Sequence, residues 1–565
     1  MNCAVAAGCI SPATADPDSS TAPTPKKTSF LNTVKPPSPS LPPDLRATIA
    51  AAQQKSLLSM EHFDVIIVGA GVSGIGAACH LRTKCPDRTF AILEGRSAIG
   101  GTWDLFRYPG IRSDSDMHTF GYSFKPWKSE KSIADGESIL AYLGETATEY
   151  DVTPHIRFRH QVTSAAWSTR EARWVVDAEQ LDDSEAVRFT CSFLFMCSGY
   201  YSYAGGYTPE FSGIERFQGP VIHPQAWPED LDYAGKRVAV IGSGATAMTL
   251  VPAMAEKAAR VTMIQRSPTY VISLPARDAI ANRLRRLLPE KLAYAITRWK
   301  NVMMQRYLYR TTRVKPEKVK RLLLNAARKQ LGDEYVDKHF TPAYNPWDQR
   351  LCLIPDGDLF KAIKSGKAEV VTGTIAGFDS NAVQLTSGED VQADILVTAT
   401  GLNLEVMGRV SISVDGDPVR FSETLCYKGM MYADVPNFAN VFGYVNASWT
   451  LRADLTCEYV CRVLNRMTET GTRQCTPRLR EEDRSMERRP WIVDFLPGYM
   501  ARSMHLFPRQ GDRDPWRNTQ NYLEDRKIVY RQPLADGVLT FSNPGSAETN
   551  LDTEQPKAAG ARDAA

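Results

Sequence analysis

Residues 63–81 read FDVIIVGAGVSGIGAACHL, and this stretch decides the fold of the first part of the chain. An unbroken apolar run leads into three spaced glycines, Gly69, Gly71 and Gly74, and then into a run of small and apolar residues. A buried strand that turns through G-x-G-x-x-G into a helix is the signature of a Rossmann-like dinucleotide-binding unit. We therefore predict an α/β fold whose order begins at Phe63.

Each glycine of this turn has a separate physical task. Gly69 permits the tight turn, Gly71 lets a pyrophosphate approach the backbone, and Gly74 lets the helix pack on the strand. The helix N-terminus offers unpaired N–H groups to the phosphates. The next strand, residues 89–94 (TFAILE), ends on Glu94, where a carboxylate accepts hydrogen bonds from a ribose diol.

A second unit of the same kind begins at Arg237. Residues 237–247 read RVAVIGSGATA, and the following strand ends in Gln265 and Arg266 with no acidic residue at the ribose-reading position. A carboxylate there would repel a 2′-phosphate, whereas Arg266 would pair with it. We assign the first unit to FAD and the second to NADPH, bound by Gly242, Ser243, Gly244, Ala245, Thr246, Ala247, Met248, Gln265 and Arg266.

The fold class predicted from these units is α/β, with two Rossmann-like dinucleotide-binding domains. Residues 1–58, rich in Pro, Ser and Thr, are predicted to be a disordered extension, because they cannot bury enough apolar surface to become ordered. The remaining predicted boundaries are 59–205 for the first part of the FAD-binding domain, 206–395 for the NADP-binding domain with a helical insertion at about 278–340, 396–532 for the second part of the FAD-binding domain with pocket-closing loops, and 533–565 for a disordered tail.

The composition limits the partners and the compartment. The 67 basic and 64 acidic residues nearly balance, which argues against a nucleic-acid partner. No apolar run approaches the roughly 18 residues that a membrane-spanning helix requires. The 11 cysteines form no CxxC pair, which favours reduced thiols in the cytoplasm, and we assign no metal-binding residue. The sequence leaves the oligomeric state open.

The predicted helical insertion is basic and carries Leu, Tyr and Trp at helical spacing. We interpret it as a set of helices with a solvated basic face. Weak attachment of this face to an anionic membrane surface is the alternative.

Two reaction classes hold FAD and NADPH in separate domains. A disulfide reductase needs a redox pair of cysteines against the flavin, and the absence of CxxC disfavours that class. Oxygenation by reduced flavin and O2 is the other class, and it is the one that we expect.

Two longer motifs resemble the fingerprints of type I Baeyer–Villiger monooxygenases. Residues 217–228 (FQGPVIHPQAWP) meet FxGxxxHxxxWP at every fixed position, and residues 100–114 (GGTWDLFRYPGIRSD) meet [AG]GxWxxxx[FY]P[GM]xxxD in full. Related flavin-containing monooxygenases lack the Trp-Pro ending. The resemblance extends over residues 63–529, nearly all of the predicted ordered chain.

The resemblance implies roles for individual residues. Arg350 corresponds to the active-site arginine beside the flavin, and Asp114 to the carboxylate that positions it. Gln349 stands where the family often has a lysine that grips NADP, which weakens the expected hold on the 2′-phosphate. Further implied contacts are with FAD at Glu94, Thr102, Trp103, Asp104 and the backbone of Val162, and on the nicotinamide side at Arg112, Ser113 and Asp114.

Two other features of the motifs bear on the site. His223 invites the role of general base, but its place between the two nucleotide-binding units favours a hydrogen bond to backbone that governs domain rotation. The loop Tyr444–Trp449 and the late region rich in Trp and Pro are candidates for the substrate pocket.

By resemblance, the protein is expected to be an FAD-dependent, NADPH-consuming monooxygenase that uses O2 through a C4a-peroxyflavin. The expected reaction is Baeyer–Villiger oxidation of a ketone to an ester or lactone, which is compatible with a specialised biosynthetic pathway. Native S- or N-oxygenation, with a sulfide among the possible substrates, stays open. So does a flavoprotein that acts as an NADPH oxidase or as a binding partner.

Overall fold

The two apolar runs that precede the glycine turns form central strands of two different sheets. In the computed structural model, the described residues are 60–349, 351–493, 495 and 497–545. The predicted extension at 1–58 lies outside the described residues, as do Arg350 and the end of the predicted tail, residues 546–565.

The described strands are numbered along the chain. They are β1 His62–Val68, β2 Phe90–Glu94, β3 Ile156–Phe158, β4 His160–Ser168, β5 Arg173–Gln180, β6 Glu185–Met196, β7 Tyr201–Gly206, β8 Val221–Ile222, β9 Arg237–Ile241, β10 Arg260–Gln265, β11 Val271–Leu274, β12 Cys352–Pro355, β13 Ala368–Thr372, β14 Ile375–Asp379, β15 Ala382–Leu385, β16 Asp390–Gln392, β17 Ile395–Thr398, β18 Leu402–Leu404, β19 Ser411–Val414, β20 Asp417–Pro418, β21 Cys426–Tyr427, β22 Met431–Tyr432, β23 Phe438–Asn440, β24 Gln474–Pro477, β25 Arg489–Pro490, β26 Arg509–Gln510 and β27 Leu539–Ser542.

The first sheet has nine strands in the order β20, β19, β4, β5, β6, β1, β2 and β3, with β23 also paired to β6. Strands β6, β1, β2 and β3 are parallel, while β4, β5 and β6 form an antiparallel meander. Val65 and Ile67 pack into one apolar cluster, and Ile66 and Val68 pack into the cluster on the other face. An unbroken apolar run is what a strand covered on both faces requires.

The second sheet has five parallel strands in the order β13, β10, β9, β17 and β8. Val238 and Val240 of β9 pack into one apolar cluster, whereas Ala239 and Ile241 pack into another. Each of the two glycine turns therefore follows a strand that is buried on both sides. These two sheets confirm the predicted fold class of two dinucleotide-binding domains.

Two passages of the chain connect the sheets, and they pair with each other. Strand β7 leaves the first sheet and β18 returns to it, and the two are antiparallel. The amide of Asn403 donates to the carbonyl oxygens of Gly205 and Gly206 at 3.2 and 3.1 Å. The backbone N–H of Tyr207 donates to the carbonyl oxygen of Gly401 at 3.0 Å.

The described helices of at least four residues are numbered in the same way. They are α1 Val72–Lys84, α2 Thr102–Leu105, α3 Met117–Phe120, α4 Gly136–Glu149, α5 Ala245–Met254, α6 Ala279–Leu287, α7 Glu290–Val314, α8 Pro316–Leu331, α9 Asp333–His339, α10 Asp358–Lys364, α11 Trp449–Thr470, α12 Gly498–Ser503 and α13 Tyr522–Arg531. Among them, none is both long and apolar enough to cross a membrane.

Helices α6 to α9 form the helical insertion that the sequence predicts. The insertion leaves the second unit after β11 and returns before β12, and these two strands pair in parallel. Asp278 caps the first of these helices, because its carboxylate accepts a hydrogen bond from the N–H of Ala281 at 2.9 Å.

The structure departs from the predicted boundaries at two places. Strand β17, Ile395–Thr398, belongs to the second sheet, so that sheet extends beyond the predicted boundary at residue 395. Strand β27, Leu539–Ser542, is antiparallel to β24 although it lies in the predicted disordered tail. The prediction of disorder is therefore wrong for the described residues 533–545. The polar composition of the tail gave no sign of this strand. Its partner β24 lies more than sixty residues earlier in the chain, so no local pattern could indicate the pairing.

We expect Gly74→Ala to destabilise the protein by about 3 kcal/mol and to lower its FAD content. A Cβ on residue 74 would overlap the carbonyl oxygen of Gly69, so helix α1 could not keep its place against β1. The measurements are thermal unfolding and the ratio of flavin to protein.

The matched control is Gly144→Ala in helix α4. A Cβ at this position meets no atom within 4 Å. Alanine is favoured over glycine by about 0.5–1 kcal/mol inside a helix, so this variant should be as stable as the parent or more stable. A Gly74→Ala protein with normal flavin content and normal melting would refute the packing argument.

Candidate active site

A cavity of about 1250 Å³ lies between the two glycine turns. Both turns line it, and so does most of the longer fingerprint that begins at Gly100. The residues that the sequence predicts for the site and that line the cavity are Gly69, Gly71, Glu94, Thr102, Trp103, Arg112, Ser113, Asp114, Val162, Gly242, Ser243, Gly244, Ala245, Thr246 and Arg266.

The first turn leaves room for a ligand next to its backbone. Gly69 has φ +101, and a Cβ there would meet the carbonyl oxygen of Cys197 at 2.9 Å, so only glycine fits. The only atoms near a Cβ on Gly71 would be those of Gly101, the nearest at 3.7 Å. Gly71 caps α1 without any side-chain hydrogen bond, so the first N–H groups of this 13-residue helix remain for a ligand. This open cradle fits a pyrophosphate.

Glu94 ends β2 beside the first turn. Its carboxylate accepts hydrogen bonds from the N–H groups of Ala70 at 2.6 Å and Arg96 at 2.8 Å. Burial raises the pKa of Glu94, while these two N–H groups oppose that shift. The carboxylate is thus fixed by backbone on the cavity wall, in a position to accept further hydrogen bonds from a ribose.

The second turn repeats this arrangement before helix α5. Gly242 has φ +130, and a Cβ there would overlap the carbonyl oxygen of Ala399. Gly244 has no atom within 4 Å of the place that a Cβ would take, so the backbone is open to the cavity. The hydroxyl of Ser243 hydrogen-bonds Thr269 at 3.0 Å, which ties the turn to the segment after β10.

Gln265 ends β10 and Arg266 follows it, and their side chains have opposite orientations. The buried amide of Gln265 donates to the carbonyl oxygen of His339 at 2.7 Å and to the Thr372 hydroxyl at 2.9 Å. Arg266 is exposed at the cavity wall and forms no ion pair within the described part of the chain. Only the arginine is therefore placed to meet a phosphate.

The longer fingerprint supplies the wall that faces both turns. Arg112 forms an ion pair with Asp358 at 2.5 Å and reaches the carbonyl oxygen of Met248 at 3.4 Å. Tyr108, a fixed aromatic position of the motif, lines the cavity together with Thr246 of the second turn. Burial and, secondarily, the charge of Asp114 raise the pKa of Tyr108, so its hydroxyl stays protonated. The motif thus joins the two halves of the cavity.

Five predicted binding residues do not line the cavity: Gly74, Asp104, Ala247, Met248 and Gln265. Asp104 instead forms ion pairs with Arg96 and Arg107, each at 2.5 Å, and so braces the longer fingerprint. The other four stand behind the turns or in the sheet. Arg350 lies outside the described residues, but its neighbour Gln349 lines the cavity, as Asp114 does.

His223 makes the backbone contacts that its position predicts. Its Nε2 donates to the carbonyl oxygen of Gly401 at 3.0 Å, and its Nδ1 accepts from the N–H of Gln225 at 3.1 Å. A Cβ on Gly206 would overlap the ring, so the imidazole fills the gap between the two connecting passages. Burial lowers the pKa of His223, so the ring is neutral at pH 7. Its hydrogen bonding to backbone is confirmed.

The pocket loops were predicted in part. Tyr444, Val445, Ala447 and Trp449 line the cavity, and so do Pro497–Tyr499 and Arg502. Trp491 and Trp516, from the same late Trp-rich and Pro-rich region, are instead buried in the apolar clusters.

Two aromatic contacts of the wall escaped the sequence interpretation. Trp449 stacks on Tyr200 with ring centroids 5.2 Å apart, and its indole N–H donates to the Ser73 hydroxyl at 2.8 Å. The Arg502 guanidinium lies 3.6 Å above the Tyr207 ring, close enough for a cation–π interaction. The pairs are far apart in sequence, and the only signal was the run of tyrosines at 200–207.

Known proteins resemble most of this chain. Residues 63–405 match the model of a family described as flavin-binding monooxygenase-like. The FAD-containing monooxygenase EthA of Mycobacterium tuberculosis is 52% identical over 484 residues, which are 85% of this chain and 98% of that protein. The probable FAD-binding monooxygenase AlmA of Acinetobacter baylyi is 47% identical over 483 residues, 85% of this chain and 96% of that protein.

Solved structures give the same fold. Oxidized steroid monooxygenase bound to NADP aligns with a TM-score of 0.63 at 26% identity, covering 74% of this chain and 87% of the other. OTEMO in complex with FAD and NADP aligns with a TM-score of 0.62 at 22% identity, covering 75% and 88%.

We expect His223→Ala to retain FAD but to reduce turnover about tenfold and to raise the share of NADPH lost as H2O2. Without the ring, the contact between the two connecting passages is lost, and the cavity walls are held less firmly. Product, NADPH and peroxide are measured in the same reaction. His62→Ala is the control, because His62 hydrogen-bonds Thr190 at the start of β1, away from the cavity. Loss of FAD, or unchanged coupling, would count against this role.

Proposed function

Because the chain belongs to the flavin-binding monooxygenase-like family, we propose that it oxidises a ketone to an ester or lactone in a Baeyer–Villiger reaction. It is a flavin-dependent monooxygenase whose cofactors are FAD and NADP. The proposed overall reaction converts ketone, O2, NADPH and a proton into ester, water and NADP+. Bound FAD, reduced by NADPH, supplies the electrons that allow one oxygen atom of O2 to reach the substrate.

The observation that carries this proposal is the position of the longer fingerprint, residues 100–114. It faces both glycine turns across one cavity, and Asp114 lies on that wall with Gln349. Gln349 immediately precedes Arg350, so the two residues expected from the resemblance belong to segments that meet at this cavity.

Arg350 and Asp114 have separate proposed tasks. An arginine stays charged at every working pH, so it can stabilise the negative charge that develops on the carbonyl oxygen of a ketone. Asp114 would hold the guanidinium in place. A sulfide develops no such charge on oxygen before transfer, so the arginine matters less for that substrate.

The remaining wall would exclude water and hold an apolar substrate. Tyr200 and Trp449 of the wall stack with ring centroids 5.2 Å apart, and Phe442 packs behind them at 5.1 and 5.5 Å. Aromatic side chains offer large apolar surfaces of fixed shape. A dry cavity also limits the wasteful release of peroxide.

We further propose that the first sheet holds FAD at Gly69, Gly71, Glu94 and Val162. The second sheet then holds NADPH at Gly242, Ser243, Gly244 and Arg266. The residue-by-residue assignment is supported by the two open glycine cradles and by the exposed arginine at the end of β10.

We expect Arg266→Ala to raise KM for NADPH by about tenfold to a hundredfold while KM for NADH changes little. The variant removes a charge-assisted contact with the 2′-phosphate, worth about 1.5–3 kcal/mol. Initial rates with both nucleotides give the comparison. Lys257→Ala is the control, since this exposed lysine does not line the cavity. An equal rise in KM for both nucleotides would contradict the assignment of Arg266 to the 2′-phosphate.

The reaction itself is tested by product analysis under 18O2 with a panel of cyclic and linear apolar ketones and with an aryl alkyl sulfide. A Baeyer–Villiger enzyme yields an ester or lactone with one 18O atom. Rapid sulfoxide formation with no ester from any ketone would replace the proposal by heteroatom oxygenation. NADPH consumption matched only by H2O2 would make the protein an oxidase.

We expect Arg350→Ala to lower ester formation about a hundredfold or more, and to lower sulfoxide formation much less. FAD content should not change. The control is Arg260→Ala, which removes an exposed arginine that pairs with Glu369 on the second sheet. Equal losses for the ester and the sulfoxide would mean that the arginine does not act on the carbonyl oxygen.

A further inference from the structure

Helix α7, Glu290–Val314, packs on the protein through a side of mixed polar and apolar character. Its buried residues are Ala293, Tyr294, Thr297, Arg298, Asn301, Val302 and Thr312. The Arg298 guanidinium donates to the carbonyl oxygens of His118, Thr119 and Gly121 at 3.0, 3.1 and 2.7 Å, and it forms an ion pair with Asp454 at 3.2 Å. A surface helix of a globular protein normally buries its large apolar side chains, whereas α7 uses much of its buried side for polar contacts.

The opposite side of α7 is apolar and faces outward. Trp299 is 49% exposed, Tyr307 73% and Val314 65%. Spacings of three and four residues place all the members of this stripe on one side of the helix. We define the outward stripe as Leu292, Ile296, Trp299, Met303, Arg306, Tyr307, Arg310 and Val314.

The outward stripe is about 33 Å long at the helical rise of 1.5 Å per residue. Large contiguous apolar surfaces on a protein mark an interaction site. No described part of the chain covers the most exposed members of this one.

The charge around the outward stripe has one sign. Helices α6 and α7 with their short connection, residues 279–314, contain nine arginines and lysines and a single acidic residue, Glu290. Arg298, Lys300 and Arg313 are neutralised by ion pairs with Asp454, Asp278 and Asp348. Within the described part of the chain, no carboxylate pairs with Arg283, Arg286, Lys291, Arg306 or Arg310.

We propose that the outward stripe binds to the surface of an anionic lipid bilayer. Apolar side chains would enter the boundary between headgroups and acyl chains, while Arg306 and Arg310 extend along it to reach anionic headgroups. A second copy of the chain is a less suitable partner for the outward stripe. A two-fold contact would place this stripe against itself and bring unpaired arginines together.

The helix that carries the outward stripe also contacts a segment that lines the cavity. The C-terminal end of α7 contacts the segment between the insertion and β12: the rings of Tyr309 and Trp347 meet edge to face at 5.8 Å, and Arg313 pairs with Asp348 at 2.8 Å. Tyr344 and Gln349 of that segment line the cavity. Bilayer attachment would therefore hold the cavity near a phase in which apolar substrates concentrate.

The test is co-sedimentation of the full-length, FAD-loaded protein with large vesicles of phosphatidylcholine, alone or with 30% phosphatidylserine added. We expect binding to the mixed vesicles only, and less binding at high salt. The charge variant Lys291→Gln/Arg306→Gln/Arg310→Gln should bind at least about tenfold more weakly. The apolar variant Trp299→Ser/Tyr307→Ser should also bind more weakly.

The matched control is Lys257→Gln/Lys361→Gln/Lys367→Gln, which removes three exposed lysines from the second sheet and its helices and should bind as the parent does. Flavin content and melting verify that every variant is folded. Absence of phosphatidylserine-dependent binding overturns the proposal. So does undiminished binding of the charge variant, which would place the contact elsewhere in the chain. A parent dimer in light scattering that Trp299→Ser/Tyr307→Ser dissociates would assign the stripe to a second copy and also overturn it.

Discussion

The geometry of the cavity depends on the short antiparallel contact between β7 and β18. These two passages join the sheets. The distance between the two glycine turns therefore depends on the strength of the contact between the passages. Their backbone bonds are few, and side chains complete the contact: His223 bonds Gly401 and packs on Gly206, and the Gln225 amide donates to Ser202 at 2.6 Å. A neutral histidine suits this place, because it presents one donor and one acceptor to backbone without a charge that would need compensation.

Around this contact, ion pairs brace the walls of the cavity. Arg112 pairs with Asp358 of helix α10, which ties the longer fingerprint to the second unit. Arg452 is fully buried with Asp525, which also accepts a hydrogen bond from the wall residue Tyr444 at 2.6 Å. Removing one member of such a buried pair leaves an uncompensated charge, so these contacts fix the wall strongly. The aromatic side chains of the wall can therefore keep their positions.

The sequence predicts what depends on local chemistry and fails where distant partners decide. Gly69 and Gly242 can be predicted from the sequence because a turn with positive φ accepts few residues other than glycine. The strands before them can be predicted because burial on both faces requires an apolar run. Gln265 stands next to Arg266 in sequence, yet it turns inward to Thr372 and His339, which no local pattern discloses. The burial of Arg298 in helix α7 was equally hidden, since the carbonyl groups that receive its guanidinium come from a segment near residue 120. Composition gave its basic character but could not tell which side faces the protein.

The buried contacts of Arg298 have a consequence for the order in which the chain folds. Arg298 bonds carbonyl groups that lie 177 to 180 residues earlier in the chain, and Asp454 lies 156 residues later. Contacts so distant in sequence have to wait until the segments that offer them are themselves in place. Docking of α7 through Arg298 is thus completed only after synthesis has passed Asp454, and until then the newly made chain presents the outward stripe on a helix that is not yet fixed in place.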